Sequence, residues 1–384
     1  MVHPFVPYFL ALIGFVIGLR RFVPGAWRPL AIFIASMVFL ALYDLNYALI
    51  LPASLAVFWG ISQWMERRSG AAKKRILVLA VGLALAVVVF YKYAGLLPAL
   101  FQPAPAVPLG LSYYSFRLIH YLVERYRGRV APLGLWRFLH YLLFFPTLAA
   151  GPIERADRFE PRPETSPTDL LEATRRIIFG LGKSLVLGAL LARWCLPILQ
   201  APGSSPRPEL LLAVYALAFY IYFDFAGYSD LAIGTARLLD YQIMENFDRP
   251  YLATSPAEFW RRWHMSLSYW LRDYLYIPLG GSRVSRTRHY LNYLAVMLAC
   301  GLWHGGEAHF LAWGAYHGLG LIVYHLGKTA WPSLRPAWLP AGPWARWPAV
   351  AVTFHFVAAG WLLFFFDLRT CGQILVRLAG GGGG

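Results

Sequence analysis

The sequence predicts an all-α polytopic membrane protein of about 10–12 helical segments, some of them re-entrant or interfacial. Three observations carry this. The 384 residues are 58% hydrophobic and 17% aromatic. Only 14% are charged, with a mean hydropathy of +0.50, whereas soluble domains carry about 25% charge. Apolar runs long enough to approach a hydrocarbon core of about 30 Å recur along the chain.

In order, those runs are 5–19, 30–44, 47–64, 76–100, 108–123, 136–151, 175–199, 209–236, 289–303, 308–326 and 346–366. A backbone amide at membrane depth needs a partner within its own segment, so each is expected to be helical. The first run is preceded by no basic n-region and carries Arg20 and Arg21 after it, with no small-residue cleavage site. A retained transmembrane helix is expected there rather than a signal peptide. The stretches 152–174, 200–208 and 328–345 are rich in proline and charge and read as loops. No internal repeat is visible. A single transmembrane domain is expected over 1–379, followed by Gly380–Gly384, a run with no side chains to pack that resembles a linker or truncation point.

The net charge of +16 does not point to nucleic acid. Arg20, Arg21 and Arg28 form one basic loop; Arg67, Arg68, Lys73, Lys74 and Arg75 form a second; Arg125, Arg127 and Arg129 form a third. The intervening turns, 44–46 and 101–107, hold no Lys or Arg. This alternation is the positive-inside pattern, with the amino terminus outside and a basic cytoplasmic rim facing anionic membrane lipid. Cys195, Cys300 and Cys371 are odd in number and widely spaced, so neither a disulfide framework nor a zinc site is expected.

Two blocks carry the candidate chemistry. In the first, Ser255, Pro256 and Glu258 form a helix-start box with proline at the first helical position. Trp260, Trp263, His264, Leu267, Trp270, Leu271 and Tyr274 then recur at three- and four-residue steps. This predicts one amphipathic, re-entrant or interfacial helix with His264 on its apolar face, ended by Pro278-Leu-Gly-Gly281. In the second block, Trp303-His304-Gly305-Gly306 places an imidazole before two residues without side chains, where a substrate or another helix can come close. Titratable side chains at membrane depth are functional-site candidates, and imidazole is the usual base near neutral pH. Against this stand structural readings: His304 bonded to a neighbouring carbonyl, and His264 holding its helix in place. Trp263 and Trp303 beside the histidines, with Arg261, Arg262, Arg272 and Asp273, are candidates for contacting substrate. The arginines suit phosphates of an acyl carrier and equally suit lipid headgroups.

Two look-alikes fail. His304 and His309 are five residues apart, not the four that a helical zinc-protease motif needs. Gly227-Tyr-Ser-Asp-Leu lacks the second glycine of a nucleophile elbow. Asp224 and Asp230 lie inside an apolar run and are expected to pair with an arginine or cap a broken helix rather than form a catalytic dyad.

Several stretches together resemble the bacterial branch of the membrane-bound O-acyltransferases, the group that includes alginate O-acetylation. They are 108–116 with Tyr126-Arg-Gly128, 144–153, 224–234, 246–251, the His264 block, 276–283 and Trp303-His304-Gly305. They run in order across most of residues 108–320. The resemblance implies many helices around a central tunnel, His304 as the active histidine midway through the membrane, and His264 as the second polar position. It implies no bound cofactor but a thioester acyl donor (acetyl-CoA or an acyl carrier), a glycan acceptor, periplasmic acetylation partner proteins, and a bacterial inner-membrane location. Members usually continue with further helices beyond the position of Arg377, where this chain runs into glycines. The expected function is O-acetylation of a cell-surface or exported polysaccharide, with His304 as general base. The alternatives are D-alanyl or other acyl transfer to an envelope polymer or lipid, and a non-catalytic transporter or scaffold.

Overall fold

The computed structural model describes residues 27–96, 107–161, 167–334 and 346–381, together with 14, 18 and 22–24. The expected first helix at 5–19 lies outside the described residues. Helices dominate: α1 (Arg28–Tyr43), α2 (Leu45–Glu66), α3 (Gly70–Tyr93), α4 (Leu111–Tyr126), α5 (Leu135–Leu143), α6 (Phe145–Leu148) and α7 (Pro167–Leu181). There follow a π-helical turn (Gly182–Gly188), α8 (Ala189–Gln200), α9 (Arg207–Leu238), α10 (Pro256–Arg262) and α11 (Met265–Leu271). A second π-helical turn (Arg272–Tyr276) leads to α12 (Arg286–His304), α13 (Ala308–Leu334), α14 (Arg346–Phe365) and α15 (Leu368–Ala379). Among the described residues, five stretches are long and apolar enough to cross a membrane: Leu45–Glu66, Gly70–Tyr93, Asp169–Gln200, Arg207–Leu238 and Arg346–Phe365. The chain is an all-α polytopic membrane protein.

Two structural units are present, Met1–Leu181 with Gly227–Glu245, and Gly182–Ala226 with Asn246–Gly384. In the first, Phe138, Leu142, Leu143, Phe144 and Phe145 have no exposed surface. Several polar groups there are partnered across helices. The Arg117 guanidinium donates to Tyr141 O and Thr147 Oγ1, both at 3.0 Å. Arg176 binds Asp230 at 2.8 Å and also holds Glu245, so Asp230 pairs with an arginine as expected. Glu66 binds both Lys73 and Arg125 at 3.0 Å. Two of the three basic loops therefore meet on one side of this unit.

In the second unit, α12 and α13 pack as an antiparallel hairpin through glycines. A Cβ on Gly301 would run into Phe310 O, and one on Gly314 would run into Met297 O. Small residues at such crossings let helix backbones approach closely, and backbone oxygens cannot swing aside as a flexible side chain can. Gly314→Val is therefore expected to cost at least the 1–3 kcal/mol typical of overpacking. The loss should appear as a lower melting temperature of the purified protein and lower membrane abundance.

The chain's end departs from the expectation. α15 was not foreseen, and Gly380 has a packing role: it closes α15 in the left-handed conformation at φ 104°. Gly381 N donates to Val376 O at 2.9 Å, and Arg207 Nη2 donates to Gly380 O at 2.9 Å. This is the glycine-terminated helix end that only a residue without Cβ forms cheaply.

Candidate active site

The aromatic block at 255–276 is not one helix. Its start follows the sequence reading: Ser255 Oγ accepts from Glu258 N at 3.1 Å. The Glu258 carboxylate in turn accepts from Thr254 N and Oγ1. Burial opposes ionisation of Glu258, but the hydrogen bonds from Thr254 and Arg262 outweigh it and hold the carboxyl below the usual carboxylate range. The helix then stops at Arg262. Trp263 is extended, and His264 takes a left-handed conformation (φ 41°, ψ 54°) before α11 begins. The expectation that His264 lies on a continuous helical face is corrected: it stands at a break between two short helices.

Asn246 makes that break. Its backbone O accepts from Met265 N at 2.9 Å. Its side-chain Oδ1 accepts from Ser266 Oγ at 2.7 Å and from Ser266 N at 3.3 Å. A left-handed conformation costs an L-residue about 1–2 kcal/mol, and these bonds hold it. Because a backbone N–H can only donate, the atom facing Ser266 is the amide oxygen. The same oxygen lies 3.2 Å from His264 Nδ1, so Nδ1 carries the proton and Nε2 the lone pair. Among the described residues Nε2 has no partner, and His264 is only 3% exposed. His264 thus presents a buried hydrogen-bond acceptor, packed edge-on to Phe225 with ring centroids 4.7 Å apart.

His304 ends α12, and Gly305 leaves the helix in extended geometry. Its ring is enclosed by Trp303 at 4.4 Å, Phe364 at 4.7 Å and Trp313 at 5.3 Å. Trp303 also packs against His264 at 6.3 Å. One tryptophan therefore neighbours both histidines and brings both sequence candidates to one place. His309 lies on the next helix and faces Leu363 O at 3.0 Å. Among the described residues no cluster of histidine, cysteine or carboxylate could hold a metal ion.

The remaining candidates divide. Trp263 is buried among Phe259, Tyr251 and Trp361. Arg262 is committed to Glu258 at 2.8 Å and Asp248 at 3.6 Å. Asp273 accepts from Arg272 Nε at 2.8 Å. Arg261 and Arg272 line a cleft of about 400 Å³ with Trp260, Leu267, Cys300 and Lys328. Cys300 is one helical turn before His304, on the same face of α12. Trp260 packs on Trp313 at 5.7 Å, and Trp313 packs on His304. The cleft is apolar inside and basic at its edge, and its inner wall stands one ring away from the histidine. Two residues went unread in the sequence. Asn246 enters the sequence reading only through the resemblance over 246–251. His317, fully buried, carried the same signal as His304, a titratable side chain inside an apolar run.

Residues 37–356 match the model of the membrane-bound O-acyltransferase family. The probable alginate O-acetylase of Pseudomonas aeruginosa is 37% identical over 389 residues, covering 94% of this chain and 70% of that protein. The teichoic acid D-alanyltransferase of Bacillus subtilis is 31% identical over 288 residues, 70% of this chain and 72% of its own length. The peptidoglycan O-acetyltransferase of Helicobacter pylori is 29% identical over 382 residues, 89% of this chain and 71% of that protein.

Proposed function

The chain belongs to the membrane-bound O-acyltransferase family, and on that premise we propose that it O-acetylates a cell-surface or exported polysaccharide at the bacterial inner membrane. The observation that carries the assignment to this site is the pairing of His264 and His304 across Trp303. A thioester donor enters the basic-edged cleft from the cytoplasmic side, with its phosphates near Arg261, Arg272 and Lys328 and its acyl end inward. The acceptor hydroxyl comes from the other face. Its oxygen attacks the acyl carbon while His304 takes the hydroxyl proton. The carbon–sulfur bond breaks, and the proton passes from His304 to the departing thiolate. His264 Nε2, a lone-pair acceptor, orients the acceptor. Holding both substrates aligned in an enclosed site supplies much of the acceleration, and base assistance about 10²–10⁴-fold more. Periplasmic partner proteins are proposed to deliver or receive the acetylated glycan.

The D-alanyltransferase relatives favour a second reading, D-alanyl transfer to an envelope polymer. One experiment separates the two. The protein is expressed in a strain whose own envelope acylation genes are deleted, and esters released from the surface glycan by mild base are identified by mass. Acetate supports the first reading and D-alanine the second. Wild-type protein that inserts but yields neither ester defeats both.

A further inference from the structure

One face of α13 continues the cleft inward. Lys328, His325, Tyr324 and Leu321 line it; His317 and Trp313 follow at the same three- and four-residue steps, and Trp313 touches His304. From Lys328 to Trp313 this stripe spans about 22 Å at 1.5 Å per residue. At its inner end lie three rings. His317 is 5.1 Å from Trp260 and 5.1 Å from Trp313, and the two tryptophans are 5.7 Å apart. Phe259 stacks on the imidazole at 6.4 Å, and Phe356 meets it edge-on at 5.3 Å.

The polar atoms of this cluster have no partners among the described residues. Both ring nitrogens of His317, the indole N–H of Trp260 and the indole N–H of Trp313 are buried without a hydrogen bond. Buried donors are almost always satisfied, and an orphan calls for an explanation. Packing does not provide one, because phenylalanine would fill an aromatic cage without stranding two nitrogens. Gly360 even makes room for the imidazole: a Cβ there would lie 2.7 Å from His317 Nε2. Three buried rings with unpartnered N–H groups link Trp260, which lines the cleft, to His304, and such donors suit a group that carries negative charge only during the reaction.

We propose that an imidazole N–H of His317, with the indole N–H groups of Trp260 and Trp313, holds the carbonyl oxygen of the donor's acyl group; this rests on the acyl-transfer reading above. As the acceptor oxygen bonds to the acyl carbon, the carbonyl electron pair moves onto its oxygen, and these donors stabilise the developing charge. When the pair returns, the carbon–sulfur bond breaks and His304 delivers its proton to the thiolate. Trp260, which also lines the cleft, is the first of the three that an incoming acyl group meets. Preorganised donors of this kind act most strongly where water is excluded.

The test uses the full-length protein in cells, reading acetyl ester on the surface glycan at membrane abundance matched by immunoblot. His317→Phe keeps the ring and removes both nitrogens; His317→Gln keeps an N–H at a similar reach. The N–H role predicts that Phe lowers transfer about 10²–10³-fold, the usual cost of one such donor, while Gln stays within about tenfold of wild type. It also predicts that purified His317→Phe melts no lower than wild type. A packing role predicts the reverse order. Trp313→Phe, which keeps a ring but loses its donor, should fall with His317→Phe, and it decides the matter if His317→Phe fails to accumulate. Wild-type transfer in His317→Phe, or an equal fall in Phe and Gln, overturns the proposal. Absence of ester with wild-type protein would instead overturn the transfer reading on which it rests.

Discussion

His304→Ala is expected to reduce surface-glycan ester to the level of a deletion strain while the protein still inserts at normal abundance. The loss of base assistance alone is about 10²–10⁴-fold. Folding should be little disturbed. His304 is the last residue of α12, the α12–α13 crossing is set one turn earlier at Gly301, and the ring is only partly buried. The informative companion is His304→Gln, which keeps hydrogen-bonding capacity but cannot take up a proton. A positioning or transport role would survive this change in part, whereas a general base would not. Persistence of ester in either variant at matched abundance would move His304 to a structural role and bring the transporter and scaffold readings forward.

Most of the helices were legible because a membrane leaves the backbone one economical choice, and apolar runs such as 47–64 and 209–236 lie within helices α2 and α9. The start of α10 was legible as well, since Ser255, Pro256 and Glu258 act locally. The break at His264 was not. The three- and four-residue spacing of Trp260, Trp263, Leu267 and Trp270 continues through it, and nothing within that window interrupts a helix. The cause is Asn246, 18 residues earlier in the chain, which binds the far side of the turn. α15 escaped for a different reason. Its polar face hides it from a search for apolar runs, although Asp367 accepting from Thr370 N at 2.9 Å is a start signal readable in sequence. The two histidines were found because their surroundings are apolar and titratable groups there are rare. Their shared contact with Trp303 depends on how α10, α11 and α12 are packed, which no local pattern encodes.

Asn246→Leu is expected to have the largest effect on stability among single changes around the site. The substitution nearly preserves volume but removes the side-chain acceptor that meets Ser266 Oγ, Ser266 N and His264 Nδ1. Each buried donor left unsatisfied costs about 1–3 kcal/mol. Even the lower figure for all three is a large share of the 5–15 kcal/mol that keeps a typical domain folded. The turn itself should then open, because the left-handed backbone at His264 is held by those bonds. Released, residues 263–265 lose their fixed conformation, which exposes the Arg262–Trp263 bond and carries His264 away from Trp303. Two measurements follow from this. Limited trypsin digestion of purified protein should cut after Arg262 much faster in Asn246→Leu than in wild type. Ester transfer should fall at least as far as in His264→Gly, a variant that keeps the left-handed turn, since glycine adopts it freely, and loses only the imidazole. If Asn246→Leu resists trypsin as wild type does and transfers normally, the clamp is not what presents His264. If His264→Gly transfers normally while Asn246→Leu does not, the clamp shapes the site and the His264 side chain takes no part in it.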